Sequence, residues 1–195
     1  MKAGKQGMFR KLRLPLFAAV MSLLVVGCTT NSGNQSGMMN SSSKYYQSKQ
    51  LCEVPSDLPG AIVKVSLEDM GMTQMMGGTA PLSAQMRLSA TPSEISGPTV
   101  SIVVSNYGWR THELVVLPLA ANQNAGERIP EADGQVDESG NLGEASNDCG
   151  AGVGEGVKAG SATWITLKLK PGRYEFICNL KNHYADGMYQ EVVVS

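Results

Sequence analysis

The sequence predicts an all-β chain, a β-sandwich of about seven or eight short strands interrupted by one acidic, glycine-rich insertion. Three observations predict it. Apolar side chains recur with a period of two in short runs rich in Val, Ile and Leu, the spacing that lines one face of a strand. Turns containing Pro and Gly separate these runs. No stretch carries the apolar stripe of an amphipathic helix, and no internal repeat is visible.

The strands follow in order. Val63, Val65 and Leu67 alternate with Lys64, Ser66 and Glu68, and Ala84, Met86 and Leu88 alternate with Gln85 and Arg87. Val100, Ile102 and Val104 keep the same period, as do Ile165, Leu167 and Leu169. Glu113–Leu119, Arg173–Cys178 and Tyr189–Val194 are also strand-like. The punctuation is Thr91-Pro92-Ser93, Ser96-Gly97-Pro98 and Lys170-Pro171-Gly172-Arg173. Short strands at this spacing build a sandwich, and residues 52–195 are long enough for one such domain.

Residues 121–160 break the rhythm. Eight acids (Glu127, Glu131, Asp133, Asp137, Glu138, Glu144, Asp148, Glu155) face only Arg128 and Lys158. The stretch reads as a solvated surface insertion, with a docking surface as the alternative.

The chain opens differently. Residues 1–13 carry five basic side chains and no acid, and Leu16–Val26 is apolar apart from Ser22. A positive segment followed by a short apolar one describes a secretory signal, and the run is too short for a comfortable membrane span. The ending Val25-Val26-Gly27-Cys28 resembles the bacterial lipobox, so residues 1–27 are expected to be cleaved and Cys28 lipidated. Cleavage elsewhere, or an uncleaved anchor, is the alternative. Residues 28–51, rich in Ser, Asn, Gln and Gly, read as a flexible tether. The protein is then exported and anchored to the cell membrane, on a periplasmic or extracellular face. Loss of the five leading positive charges moves the formal net charge from −1 to −6, which argues against nucleic acid as a partner.

The chemistry concentrates near the C-terminus. Cys178, His183 and Met188 recur with four residues between each pair, at the end of one strand and before the next. Such a loop can turn a thiolate, an imidazole and a thioether towards one point. The chain has two histidines, and the second, His112, opens the run Glu113-Leu-Val-Val-Leu. Two imidazoles, one thiolate and a weak axial thioether are the donors of a blue-copper site. This predicts one mononuclear copper held by His112, Cys178, His183 and Met188.

With these residues in view, the chain resembles the cupredoxin family over roughly residues 60–195, excluding the insertion. The Cys-x4-His-x4-Met loop is similar to that of rusticyanin, auracyanin and the sulfocyanin-like proteins, and Tyr174-x-Phe176-x-Cys178 is similar to the family's penultimate strand. The resemblance implies a Greek-key sandwich and an electron-transfer role with redox-protein partners. It also implies that the ring edge of His183 reaches the surface. Trp109, Tyr184 and Ala185 are candidates for an apolar patch around it, or for packing at the end of the sandwich. Glu113 and Asn179 depart from the family, which usually has an Asn after the first His and often a hydroxyl residue after the Cys. The backbone N–H of Glu113 remains able to donate to the Cys178 sulfur.

Several chemistries are excluded by neighbours. Asn182 stands where a binuclear copper loop would place a second Cys, and Ile177 and Asn179 flank Cys178 where multicopper oxidases carry His. Four protein ligands leave no open position for a substrate, so neither enzymatic activity nor a small-molecule substrate is expected. A copper-handling role, storage or delivery, is the alternative, through Met70, Met72, Met75 and Met76 as a secondary Cu(I) site; Met also fills apolar gaps. Cys52 and Cys149 remain, as a disulfide or as two free thiols.

Overall fold

The computed structural model describes residues 48–69 and 85–195. Among the described residues there are ten strands and no helix, arranged as two five-stranded mixed sheets. The strands are β1 (Ala61–Asp69), β2 (Met86–Thr91), β3 (Glu94–Ile95), β4 (Thr99–Asn106), β5 (Leu114–Leu119), β6 (Gly143–Ala145), β7 (Gly150–Ala151), β8 (Ala162–Lys168), β9 (Gly172–Ile177) and β10 (Tyr189–Val194). One sheet runs β2-β1-β4-β8-β7 and the other β3-β10-β9-β5-β6. In the first, β1 pairs parallel to β4 with Val63 opposite Ile102, and antiparallel to β2 with Leu67 opposite Leu88. In the second, β9 lies antiparallel to both β5 and β10.

The period-two pattern sets which side chains meet. Val63, Val65, Leu67, Leu88, Val100, Ile102 and Val104 face Leu114, Val116, Phe176 and Val192 in one buried core. Each fully buried aliphatic or aromatic side chain there stabilises the fold by roughly 1.5–3 kcal/mol. β8 fits less well: Ile165 and Leu167 are only partly buried, and Leu169 is buried just beyond the strand. Three strands were not expected, because β3, β6 and β7 have two or three residues each, too few for a periodic signal. Ala84 lies outside the described residues.

β5 is buried on both faces: Leu114, Val115, Val116 and Leu117 are each 0% exposed. This explains its unbroken apolar run. The outward pair Val115 and Leu117 packs with Ile177 and Tyr184 and with Val136 from the insertion. The insertion is therefore more than a solvated loop. It supplies β6, β7 and the buried Ala145, Ser146 and Val157, although its acids Glu127, Glu131, Asp133, Asp137 and Glu155 are exposed. Arg128 clamps it to the sheet through a 2.6 Å ion pair with the fully buried Glu175.

The end of the expected tether is also ordered onto the domain. Ser48 N–H donates to Tyr107 O at 2.6 Å and Leu51 N–H to Gly160 O at 2.7 Å. Cys52 and Cys149 form a disulfide across a sequence separation of 97, which joins this entry segment to the insertion. Cys28 and residues 1–47 lie outside the described residues, as do Met70, Met72, Met75 and Met76.

Candidate metal centre

β4, β5, β9 and β10 deliver the candidate ligands to one end of the sandwich. His112 follows the turn Tyr107–Thr111 that leaves β4. The buried side chain of Asn106 shapes this turn, accepting from Gly108 N–H at 2.8 Å and donating to Arg110 O and Val157 O. The backbone of His112 then exchanges two hydrogen bonds with Val157, at 3.1 and 2.7 Å. An irregular turn is thus fixed on both sides before β5 begins.

Cys178 immediately follows β9 and Met188 immediately precedes β10, and Cys178 N–H donates to Met188 O at 3.0 Å. That bond closes the loop at its base. Inside it, His183 N–H donates to Leu180 O, Gly187 N–H to Tyr184 O and Met188 N–H to His183 O. Asn182 takes a left-handed conformation, φ 68°, which Asn tolerates better than most residues. Its N–H donates to Gly134 O of the insertion. On the other side, Asp186 O accepts from Met86 N–H at the start of β2.

The side chains converge. The Nδ1 atoms of His112 and His183 lie 3.1 Å apart, and the Cys178 sulfur lies 3.3 Å from His183 Nδ1 and 3.9 Å from His112 Nδ1. Donors bound to one ion at about 2.0–2.3 Å stand roughly 3–4 Å from each other, so the three atoms fit a shared metal. Met188 is fully buried and belongs to the same packed cluster as Cys178. His112 and Cys178 are 0% exposed and His183 8%.

The surroundings support neutral donors. Burial pushes the His183 imidazole down to about 3, assisted by repulsion from His112 and Arg110. Burial also lowers His112, against the pull of Asp69. The Cys178 thiol is pushed up to about 12, first by burial and then by the charge of Glu113. A bound cation would displace that proton, because a thiolate is the ligand form.

The neighbours of Cys178 bear on the sulfur. Glu113 N–H donates to it at 3.4 Å, as its sequence position allowed. The Glu113 carboxylate accepts from Asn179 N–H at 3.1 Å. Burial, then the nearby Glu144 and Glu138, raises that carboxyl to about 7. The Asn179 side chain turns the other way, accepting from Val136 N–H and donating to Val136 O and Glu138. It fastens the insertion to the loop rather than pinning the metal centre.

Of the three candidates for a surface patch, Tyr184 packs the sandwich: it is 2% exposed, and its hydroxyl donates to Glu175 at 2.9 Å and accepts from Arg128 N–H at 3.0 Å. Ala185 is exposed and Trp109 partly so.

Sequence reading missed Asp69, the carboxylate that faces His112 Nε2 at 3.0 Å. A signal was present. Asp69 continues the inward face of Val63, Val65 and Leu67, so an acid occupies a position where the strand's period calls for a core residue. Glu175 was missed for the same kind of reason, sharing a face with Ile177.

No protein-family model matches the chain, and no curated protein matches it. Similar solved structures include the dithionite-reduced auracyanin of the photosynthetic bacterium Roseiflexus castenholzii, 16% identical, with 71% of this chain and 98% of that one covered and a TM-score of 0.40. Auracyanin A of Chloroflexus aurantiacus, described as a "blue" copper protein, is 14% identical over 69% of this chain and 98% of its own, TM-score 0.40. Rusticyanin of Thiobacillus ferrooxidans is 18% identical over 75% and 88%, TM-score 0.38.

Proposed function

We propose that this chain is a mononuclear type 1 copper electron-transfer protein, with His112, Cys178 and His183 as close ligands and Met188 as the weak axial one. The observation that carries it is the convergence of two imidazole nitrogens and one thiol sulfur, all within 4.8 Å of one another, at a buried end of the sandwich. Two His and one Cys with an axial Met are the donors of blue copper. Copper held there would supply a one-electron couple.

The chain contributes rigidity and insulation. Every candidate ligand sits at the edge of a strand or in a loop closed by its own backbone hydrogen bonds, so the same donors serve both oxidation states with little movement. A full ligand set leaves no site for substrate, which favours a carrier over an enzyme. His183 is the least buried ligand and is the natural exit for the electron towards a redox protein.

The tether belongs to the same proposal. Lipidation of Cys28 would hold the domain at the outer or periplasmic face of a membrane and limit its partners to those near that surface. Mass analysis of the mature protein tests it: an unmodified Cys28 ends the anchoring claim.

A reversible one-electron titration of the copper-loaded chain tests the electron-transfer role. Met188→Gln should lower the potential and keep the visible colour. Copper handling is the second reading, favoured by the clustered Met70, Met72, Met75 and Met76. Among the described residues on either side of that stretch, Asp69 contacts His112 and Met86 N–H donates to Asp186 O of the ligand loop. Stoichiometry separates the two. One copper per chain supports the carrier; additional Cu(I) that disappears on substituting Met72, Met75 and Met76 supports handling.

A further inference from the structure

We propose that Asp69 is a positioning residue of the metal centre: its buried carboxylate fixes the proton of His112 on Nε2, aims Nδ1 at Cys178 and His183 before metal arrives, and lowers the potential of copper bound there. The inference rests on the copper reading of the site.

The geometry is specific. Asp69 is the last residue of β1 and is 1% exposed. Its Oδ2 lies 3.0 Å from His112 Nε2 and accepts from Arg110 N–H at 2.9 Å, while Trp109 N–H reaches Oδ2 at 3.0 Å and Oδ1 at 3.1 Å. A carboxylate accepting two backbone N–H groups presents only lone pairs to the ring. The Nε2 atom must therefore carry the proton, which leaves the lone pair on Nδ1, the atom 3.1 Å from the other imidazole.

The surroundings are built for this contact. A side chain at Gly108 would bring its Cβ within 2.4 Å of Asp69 Oδ2 and 3.1 Å of His112 Nε2. Glycine is what allows the turn to close over the pair. Asn106 holds the same turn from behind through Gly108 N–H and Arg110 O.

The charge has a consequence. The groups hydrogen-bonded to Asp69 are neutral N–H donors, so its negative charge is redistributed and not cancelled. Arg110 acts on both imidazoles with the opposite sign, but it meets Asp69 through its backbone. A carboxylate behind an imidazole raises the basicity of the ligand and favours the more positive metal state. Removing the charge should shift the ratio of oxidised to reduced copper by about ten- to hundredfold towards the reduced form. At 59 mV per tenfold for one electron, that is a rise of about 59–118 mV.

The test compares the copper-loaded chain with Asp69→Asn and with Glu68→Gln. Glu68 is also buried but pairs with Arg87 and does not touch His112. Expected is a raised potential in Asp69→Asn with the visible band retained, and a shift under about twofold in Glu68→Gln. An unchanged potential in Asp69→Asn, or an equal rise in both, overturns the proposal. A second measurement stands apart from copper and from the fold of the variant: 15N NMR of His112 in the metal-free wild-type chain. Protonation on Nε2 supports the proposal, and protonation on Nδ1 overturns it. If the wild-type chain binds no copper, the proposed function falls while the tautomer still decides the positioning role.

Discussion

The two imidazoles that meet at 3.1 Å are held by opposite means. His112 arrives from a turn that is fastened to distant parts of the chain, to Val157 through its backbone and to Asp69 through its ring, and that Asn106 braces locally through the preceding residues. His183 arrives on a loop whose backbone closes on itself, through His183 N–H to Leu180 O, Gly187 N–H to Tyr184 O and Met188 N–H to His183 O, with outer contacts to Gly134 and Met86. The first region is rigid because many parts of the fold converge on it. The second is compact because its own backbone folds back, and it leaves its histidine slightly open to solvent. One region fixes the site against the sandwich; the other brings most of the ligands and the access.

Substitutions can break this contrast. The largest effect is expected from Cys178→Ser, which removes the sulfur on which both regions converge. Copper binding should weaken by more than about 100-fold, since losing a ligand costs more than the 10–100-fold of an outer partner; a competitive copper titration reads this directly. Glu175→Ala undercuts the loop from below, stripping partners from Arg128, Gly126 and Tyr184. Breaking such a buried pair should cost about 3–5 kcal/mol in denaturant unfolding.

Gly108→Ala attacks the His112 region instead, by driving a Cβ towards Asp69 and His112. A loss of about 1–3 kcal/mol is expected, with weakened copper binding that a remote overpacked site would not show. Tyr184→Phe is the mildest. It removes a hydroxyl shared between Glu175 and Arg128 N–H and should cost about 0.5–1.5 kcal/mol, leaving the visible spectrum unchanged. If Tyr184→Phe disturbed the spectrum as much as Gly108→Ala, the His183 loop would depend on its outer contacts as strongly as His112 depends on Asp69, and the contrast would fail.

The same contrast explains what the sequence disclosed. Cys178, His183 and Met188 are close in the chain, so their donor types and spacing between two strand-like runs pointed to a shared site. The alternating runs in β1, β2 and β4 announced the sandwich, because strand burial is a local period. Supports that depend on long-range pairing were much harder to read. Asp69 and His112 are 43 residues apart, and nothing local ties them. The insertion misled for a related reason: its exposed acids dominate the composition, while its structural work is done by Val136, Ala145 and Val157, scattered among them. Tyr184, next to a ligand, read equally as a surface patch or as packing; burial of β5 on both faces requires a cover, and Tyr184 is part of it.

The most direct test of the central claim is a visible absorption and EPR spectrum of the copper-loaded protein, taken with metal counting. One copper per chain with an intense thiolate-to-copper band, lost in Cys178→Ser, is the expected result. One tightly bound copper with no strong visible absorption would contradict a type 1 centre at His112, Cys178, His183 and Met188.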